Sequence, residues 1–464
     1  MIERRPLLGS ALLLLASRTP ASLAMGAGAR VFRPEMFGAK GDGSTDDSAA
    51  FDRLSQAVNA AGGGVVELRK TTYAVGRQQI DANGKIERAK LMDFVGCSRP
   101  LIIRGNRARL RCVAGQRYGT FNPDGSSMAG PPARNGKIGV ATPYSAMIFV
   151  RDCSGRVEIS GLELDGNLAA HVLGGKHGDR GWQIICCGIM LRNNKGEEIL
   201  SNIYSHHHAQ DGFNIDGPDT PTPGVKRRIT ELHSDANGRQ GMSVTGGRDY
   251  EFRNCSFTRT GRGKIASAPA AGVDIEAENH KSIRNLKFID CRFADNDGCG
   301  LVADSGDSAD VSFTRCSFIG TTNWCAWPRK PGFRFTQCTF VGPLVRVFGD
   351  PDPKLAGQFY RCVFSDDPKL SPTGSLTPRK NVCADLSHSQ NALFDHCAFV
   401  MQHDGVLPWS VGAIWQDCVM SQKSSQLAHT RGTFRGINTI TGPVSISGSV
   451  IEGTLVLNGK RVTG

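Results

Sequence analysis

The chain has 464 residues, 56 of them glycine, and a formal net charge of +12. This length exceeds the roughly 100–200 residues of one compact layered domain, but an elongated repeat architecture escapes that limit because each repeat packs only on its neighbours. Abundant glycine between short apolar runs favours β structure with many turns, and the positive charge favours an anionic partner.

Residues 1–24 have the pattern of an export signal. Arg4 and Arg5 precede an apolar run over residues 7–16, and the Ser-Leu-Ala of residues 22–24 resembles a cleavage site. The "RRPLL" start is similar to a twin-arginine signal, which carries folded proteins across a bacterial membrane. Because the apolar run is shorter than the about 20 residues of a membrane span, we predict a periplasmic or secreted protein with no membrane span.

Removal of this segment leaves a charge of about +10. Because an exported protein does not meet the nucleic acid of the cell, the sequence predicts an acidic polysaccharide or oligosaccharide as the anionic partner. The chain also has 15 cysteines. In an exported protein they first suggest disulfides, but their number is odd and their spacing indicates another role.

Residues 30–80 predict an N-terminal cap and the first strands. A glycine-rich turn precedes Thr45 and Asp46, either of which is a good helix N-cap. Apolar residues within 49–58 follow at helical spacing, and the glycines of residues 62–64 end the helix. A solenoid needs its open end covered, and a short amphipathic helix provides that cover.

The stretch from Phe37 to Gly76, which begins "FGAKGDGSTDDSAAFDRL" and ends "TTYAVG", closely resembles the N-terminal motif of the pectate-lyase-like superfamily. That superfamily includes polygalacturonases, rhamnogalacturonases, epimerase-like proteins and phage tailspike depolymerases. The resemblance implies an all-β fold, a single-stranded right-handed parallel β-helix, and says little about the reaction. We predict that Asp42, Asp46 and Asp47 of this motif shape the chain and do not catalyse.

Residues 81–464 are predicted to form the β-helix with loop insertions. Five segments align on the glycines at positions 188, 212, 241, 272 and 300. The residues one and three after each glycine are apolar, so they face inward in a strand. The residues two and four after each glycine then face outward: Met190 and Arg192, Asn214 and Asp216, Ser243 and Thr245, Asp274 and Glu276, Val302 and Asp304.

A second repeat has the form Phe-x-x-Cys-x-Phe, as in "FIDCRF". Its cysteines recur every 21 to 36 residues, which indicates a solenoid: Cys255, Cys291, Cys316, Cys338, Cys362, Cys397 and Cys418. The in–out alternation slips by one residue before each cysteine. This slip predicts a corner of left-handed backbone, which Asn254 and Asp290 tolerate. The cysteines then form an interior ladder of mostly free thiols.

The outward carboxylates are candidates for catalysis. Asp216 and Glu276 lie two strands apart, about 9.6 Å between backbones at about 4.8 Å per strand. Their side chains can approach the roughly 6.5–9.5 Å used by inverting glycosidases, and Asp216 with Asp274 is a similar diagonal pair. Like charges this close raise one pKa and create an acid and a base.

Asp211 is a further candidate. The "QDGF" segment around it resembles the "NTDG" segment of polygalacturonases, whose aspartate is catalytic, and the resemblance implies the same role for Asp211. The next aligned segment is Arg239-Gln240-Gly241. There the chain departs from that family, which has paired aspartates or Gly-His-Gly.

Three hypotheses of function remain open, because one scaffold hosts many functions. The first is a glycoside hydrolase that uses the outward carboxylates. The second is a polysaccharide lyase or epimerase with Arg239 or Lys264 as base and with calcium, the one cofactor considered, on Asp216, Asp274 and Glu276. The third is a non-catalytic glycan-binding protein. The predicted sugar-binding residues are Arg180, His208, Asn214, Arg239, Ser243, Thr245 and Lys264.

Overall fold

The computed structural model of the chain describes residues 30–81, 85–129, 139–176, 182–321, 324–376 and 382–462. The predicted signal segment, residues 1–24, lies outside these ranges. One compact unit runs from Val31 to Gly464. No helix within the described ranges has the length and apolar character needed to cross a membrane.

The chain winds as a right-handed parallel β-helix, which confirms the predicted fold. Each strand pairs with the strand one coil later, so three faces form. The first sheet contains strands Met92–Val95, Ala146–Arg151, Cys187–Arg192, Asp211–Asp216, Gln240–Arg248, Ala271–Ile275, Leu301–Ala303, Ala326–Pro328, Leu344–Val345, Ala384–Leu386 and Trp409–Gln416.

Four long strands bend around a corner and serve both remaining sheets: Leu101–Cys112, Val157–Asp165, Glu198–His206 and Arg227–Asp235. The second sheet adds Val31–Phe32, Gly64–Glu67, Tyr250–Arg253, Ser282–Ile289, Asp307–Thr314, Arg334–Thr336, Gln358–Tyr360, Leu393–Asp395, Ala428–Arg435, Val444–Ser445 and Val450–Ile451. The third adds Thr72–Val75, Ser256–Thr258, Arg292–Ala294, Ser317–Ile319, Thr339–Val341, Val363–Ser365, Ala398–Met401, Val419–Gln422, Ile437–Thr441 and Thr454–Leu457.

The remaining elements are short. Antiparallel pairs join Gln79–Ile80 to Ile86–Glu87 and Lys460–Val462 to Thr454–Leu457. A small separate sheet contains Arg117–Thr120, Val140–Ala141 and Val172–Leu173. The helices are the α-helix Ser48–Ala60 and the single-turn helices Pro34–Phe37, Leu168–Ala170 and Pro368–Leu370.

The cysteine repeat forms the predicted corner. The residue before each ladder cysteine has a φ between 51° and 56°, whether it is Asn254 or Arg361. This left-handed residue turns the chain, and the flanking phenylalanines then stack on those of the next coil. Phe313 lies 4.9 Å from Phe288 and 4.8 Å from Phe335 between ring centroids. All 15 cysteines are buried free thiols, as predicted for most of them.

The helix Ser48–Ala60 covers the first coils with its buried residues Phe51, Leu54 and Val58. Asn59 joins it to the first sheet, because its Nδ2 donates to the carbonyl of Asp93 at 2.8 Å. The helix ends at the predicted glycines.

The acidic residues of the N-terminal motif shape the chain, as predicted. Asp42 accepts the backbone N–H of Thr45 at 2.7 Å, and Asp47 accepts that of Lys40 at 2.6 Å. The predicted N-cap was wrong by one or two residues, since Asp47 occupies that position and not Thr45 or Asp46. The Asp47 carboxylate folds back onto the turn, so it does not cap the helix with its side chain.

Candidate active site

The glycine-aligned strands of the first sheet have the predicted register. Ile189 pairs with Phe213, and the same row continues through Met242, Val273 and Leu301. The row one residue later faces outward, and we call it the outer column. It contains Phe149, Met190, Asn214, Ser243, Asp274, Val302 and Trp327. Six strand spacings of about 4.8 Å make it roughly 29 Å long.

Asp274 lies in the outer column and is nevertheless only 5% exposed. On the next strand Val302 packs with Trp324 and Trp327, an apolar cluster beside the carboxyl group. On the other side Gln240 Nε2 donates to Asp274 Oδ2 at 2.7 Å. Burial, and then the charge of Glu276, raise the pKa of Asp274 to about 8. The group therefore carries a proton at neutral pH.

Asp211 lies at the start of its strand and is 1% exposed. Its Oδ2 accepts a hydrogen bond from Ser243 Oγ at 2.9 Å and lies 3.5 Å from Arg239 Nη1. Burial is the largest effect and raises the pKa of Asp211 above its usual value, although the guanidinium of Arg239 and the hydroxyl of Ser243 partly oppose it by favouring the ionised form. The buried Oδ1 has no hydrogen-bond partner among the described residues.

The strand Gln240–Arg248 lies between these two carboxyl groups. It contacts Asp274 through Gln240 and Asp211 through Ser243, which is the register partner of Asp274. Two aspartates in different environments thus flank one strand. Such an arrangement separates the pKa values of two carboxyl groups and allows one to act as acid and the other as base.

A cleft of about 210 Å³ opens beside Asp211 on this face. Its lining is mostly polar: Gln183, Ile185, Cys187, Met190, Arg192, Gln210, Asp211, Asn214, Asp216, Arg239, Thr245, Glu278 and Asn279. The lining mixes both signs of charge with amide and hydroxyl groups, which suits a ligand rich in hydroxyl groups.

Asp216 and Glu276 face outward, but their partners differ from those of an acid–base pair. Asp216 forms ion pairs with two cations, at 2.6 Å from Lys281 Nζ and 3.2 Å from Arg192 Nε. Glu276 accepts a hydrogen bond from Ser305 Oγ at 2.6 Å. The two residues are therefore held by different neighbours and do not contact each other as a pair.

The predicted calcium ligands Asp216, Asp274 and Glu276 are not brought together in the described part of the chain. Across the described ranges, these three do not form a group whose ligand atoms converge on one position. The physical reasons are that Arg192 and Lys281 already hold the Asp216 carboxylate and that Asp274 is protonated near neutral pH. These residues do not fit a calcium ion, which prefers several ionised or carbonyl oxygens together.

Four predicted sugar-binding residues lie at the cleft. Asn214, Arg239 and Thr245 line it. Ser243 lies behind them, hydrogen-bonded to Asp211.

Of the other three, His208 and Lys264 do not line the cleft. His208 is fully buried, with its Nδ1 3.0 Å from the hydroxyl of Tyr144. Burial lowers the pKa of His208 to about 3, so it is a neutral interior group. Lys264 is exposed and donates to the carbonyl of His171 at 3.1 Å. Arg180 lies outside the described residues.

Sequence reasoning missed several residues of the site. Gln240 holds Asp274, and Gln210 and Glu278 line the cleft. Glu278 could have been predicted, because the segment "DIEAE" has acidic residues at alternate positions, which face the same side of a strand. Gln240 had none, since a side-chain amide that bonds across a coil leaves no pattern in the sequence.

Comparisons with known proteins agree with this architecture. A family model described as a right handed beta helix region matches residues 146–340, and no curated protein sequence matches the chain. The N-terminal fragment of bacteriophage phi29 gene product 12 is 12% identical over 93% of this chain and 72% of its own, with a TM-score of 0.50. The chain is a right-handed parallel β-helix protein.

Two further solved structures are similar at lower scores. The A-module of Azotobacter vinelandii mannuronan C-5 epimerase AlgE6 is 17% identical, over 90% of this chain and 99% of its own, with a TM-score of 0.41. The tailspike protein gp49 of Pseudomonas phage LKA1 is 16% identical, over 92% of this chain and 81% of its own, also with a TM-score of 0.41.

Proposed function

We propose that this protein is an exported carbohydrate-active enzyme that binds a glycan along the outer column and hydrolyses a glycosidic bond with Asp211 and Asp274. The observation that carries the proposal is the state of Asp274, a buried carboxyl group with a pKa of about 8, two strands from a second buried carboxyl group. A neutral carboxyl group is the ordinary general acid of glycoside hydrolysis. Asp274 lies on the same sheet face as the cleft, although it is not one of the residues that line it.

The two groups have complementary roles in this mechanism. Asp274 donates its proton to the glycosidic oxygen as the bond to the leaving sugar breaks. Asp211, whose charge is favoured by Arg239 and Ser243, accepts a proton from the water that attacks the anomeric carbon. We assign an inverting reaction because Asp211 acts on the attacking water in this mechanism and does not attack the sugar itself.

The ends of the outer column support a glycan substrate. Phe149 and Trp327 provide an aromatic ring at each end, and apolar sugar faces pack on such rings. An arginine lies near each ring, Arg192 at 5.2 Å from Phe149 and Arg346 at 4.6 Å from Trp327. Inside the cleft, however, the cations are already paired with carboxylates. The acidic character of the proposed glycan therefore rests on the terminal arginines and on the overall charge of +12.

The test is a panel of neutral and acidic polysaccharides incubated with the mature chain and its Asp274→Asn and Asp211→Asn variants. We expect new reducing ends from the wild type and a loss of kcat of about 100-fold or more in each variant, which is the usual contribution of a general acid or base. Asp404→Asn is the control, because Asp404 is an exposed carboxylate on a later coil that does not contribute to the pKa of Asp274, and it should keep full activity.

The products separate the alternatives. New reducing ends without ultraviolet absorbance support hydrolysis. Unsaturated uronate absorbance indicates a lyase, and retention on a glycan column without any product indicates a binding protein. Full activity in both Asp274→Asn and Asp211→Asn would overturn the proposed acid and base.

A further inference from the structure

A second cluster of reactive side chains lies on another face, where the third sheet meets its corner. Asp165 ends one long strand, and His206, its register partner, ends the next. His207 follows in the left-handed conformation, with a φ of 55°. Asp165 Oδ, one ring nitrogen of His206 and one of His207 all lie within 4.8 Å of one another.

The orientation of His206 directs a lone pair into this cluster. Its Nε2 lies 3.2 Å from Glu163 Oε1, so Nε2–H donates to that carboxylate. The neutral ring then has an unprotonated Nδ1, which lies 2.6 Å from His207 Nδ1 and 3.7 Å from Asp165 Oδ1. Metal-binding histidines usually donate their second N–H to a carboxylate in this way.

The two carboxylate oxygens of Asp165 have different neighbours, and only Oδ1 faces the histidines. Arg109 and Arg111 both contact Oδ2. Oδ1 accepts the backbone N–H of Asn167 at 2.8 Å and faces His206. The next carboxylate of the row, Asp235, is not available, because Thr258, Arg259 and Tyr204 all bond to it.

We propose that Asp165, His206 and His207 bind a divalent first-row transition metal ion, with Glu163 orienting His206. Two imidazoles and one carboxylate are the ligand set of zinc sites that keep a further position for water or substrate, and imidazole also suits iron, copper and nickel. Asp165 and His206 are each about 6% exposed in their side chains, whereas His207 is half-buried and gives the ion a route of entry. The turn from His207 leads directly to Asp211, so this site adjoins the coil of the proposed active site.

Calorimetric titration of zinc into the full chain tests the proposal. The protein is purified without a polyhistidine tag and treated with chelator first. We expect one equivalent of zinc to bind to the wild type. His207→Asn should weaken binding at least 10-fold, and it should fold normally because asparagine tolerates the left-handed backbone at this position. Glu163→Gln should weaken binding by roughly 10-fold to 100-fold, as the loss of an orienting carboxylate does.

Two controls keep the result specific. His429→Asn removes an exposed imidazole from a distant coil and should bind zinc as the wild type does. Cobalt substitution should give visible bands of nitrogen and oxygen ligation without the near-ultraviolet charge-transfer band of thiolates, which excludes the cysteine ladder. The proposal is overturned if the wild type takes up no zinc, if His207→Asn binds it equally well, or if cobalt shows thiolate ligation.

Discussion

Asp274 differs from an ordinary surface aspartate because its carboxyl group is buried beside other carboxylates. Its pKa rises from 3.8 to about 8, so between these values the folded chain holds a proton that the unfolded chain releases. Stability linked to this proton is fully present below about pH 4 and is lost as the pH rises toward about 8.

Asp274→Asn should remove this dependence, since the amide does not titrate. While the two pKa values bracket the pH, the wild type loses about 1.4 kcal/mol of unfolding free energy per pH unit relative to the variant. Urea denaturation of both proteins at several pH values between about 5 and 7 measures the difference. Parallel stability curves for wild type and variant would show that Asp274 is ionised in the folded chain. Asp404→Asn is the control for loss of an exposed carboxylate.

At the same scale, the sequence predicted where Asp274 and Asp211 lie on their strands, whereas their burial and hydrogen-bond partners are visible only in the structure. The glycine alignment predicted the register that places Asp274 on the outer face, because strand alternation is a property of the backbone. The two ion pairs of Asp216 were not predicted, for another reason. Arg192 ends the preceding strand of the sheet, whereas Lys281 lies just before the strand Ser282–Ile289. Long charged side chains from other coils have no fixed spacing in the sequence.

At the scale of the element, the one-residue corner repeats with different side chains. Asn254 and Asp290 suit the left-handed backbone, whereas Arg361 adopts the same conformation with a φ of 53°. A residue other than glycine, asparagine or aspartate costs roughly 1–2 kcal/mol in this region. The repeated phenylalanines stack on those of the next coil, and the cysteines pack beside them in the interior. This packing holds the corner in its left-handed conformation and offsets that cost.

Arg361→Gly should therefore stabilise the protein by up to about 1 kcal/mol. Glycine relieves the backbone strain of the left-handed residue, but the larger backbone entropy that glycine has in the unfolded chain offsets part of this gain. Arg361→Val should destabilise it by at least about 1 kcal/mol, because a β-branched residue is a genuine outlier there. Thermal or urea unfolding measures both. Arg292→Val, an exposed position within a strand, should change stability by less than about 0.5 kcal/mol, and equal effects at both sites would contradict the corner assignment.

The sequence predicted these corners and the ladder because both are local and repeat many times. It predicted the capping helix equally well, since its apolar spacing and terminal glycines are local signals. The N-cap was predicted at the wrong residue because the Asp47 carboxylate accepts hydrogen bonds from the backbone N–H groups of Lys40 and Gly41. That choice depends on how the turn closes, which neighbouring residues alone do not determine.

At the scale of the whole molecule, the ladder of thiols runs through the interior of the later coils. All 15 cysteines are buried and free. Cys338 has its Sγ 3.5 Å from the carbonyl of Phe313 on the preceding coil, so the thiols act as small packing groups between the phenylalanine stacks. The stability of the solenoid then comes from this packing and from the strand ladders, with no covalent link between coils.

Thiol accessibility tests this account. When a thiol reagent is added to the native chain, no cysteine should be modified, because the reagent cannot reach the interior. When denaturant unfolds the chain in the absence of reductant, all 15 cysteines should be modified. The melting temperature should be the same with and without reductant, since no disulfide contributes to stability. Fewer than 15 reactive thiols in the denatured chain, together with a lower melting temperature in reductant, would show that neighbouring cysteines of the ladder pair. The coils would then be joined by bonds that an oxidising compartment forms.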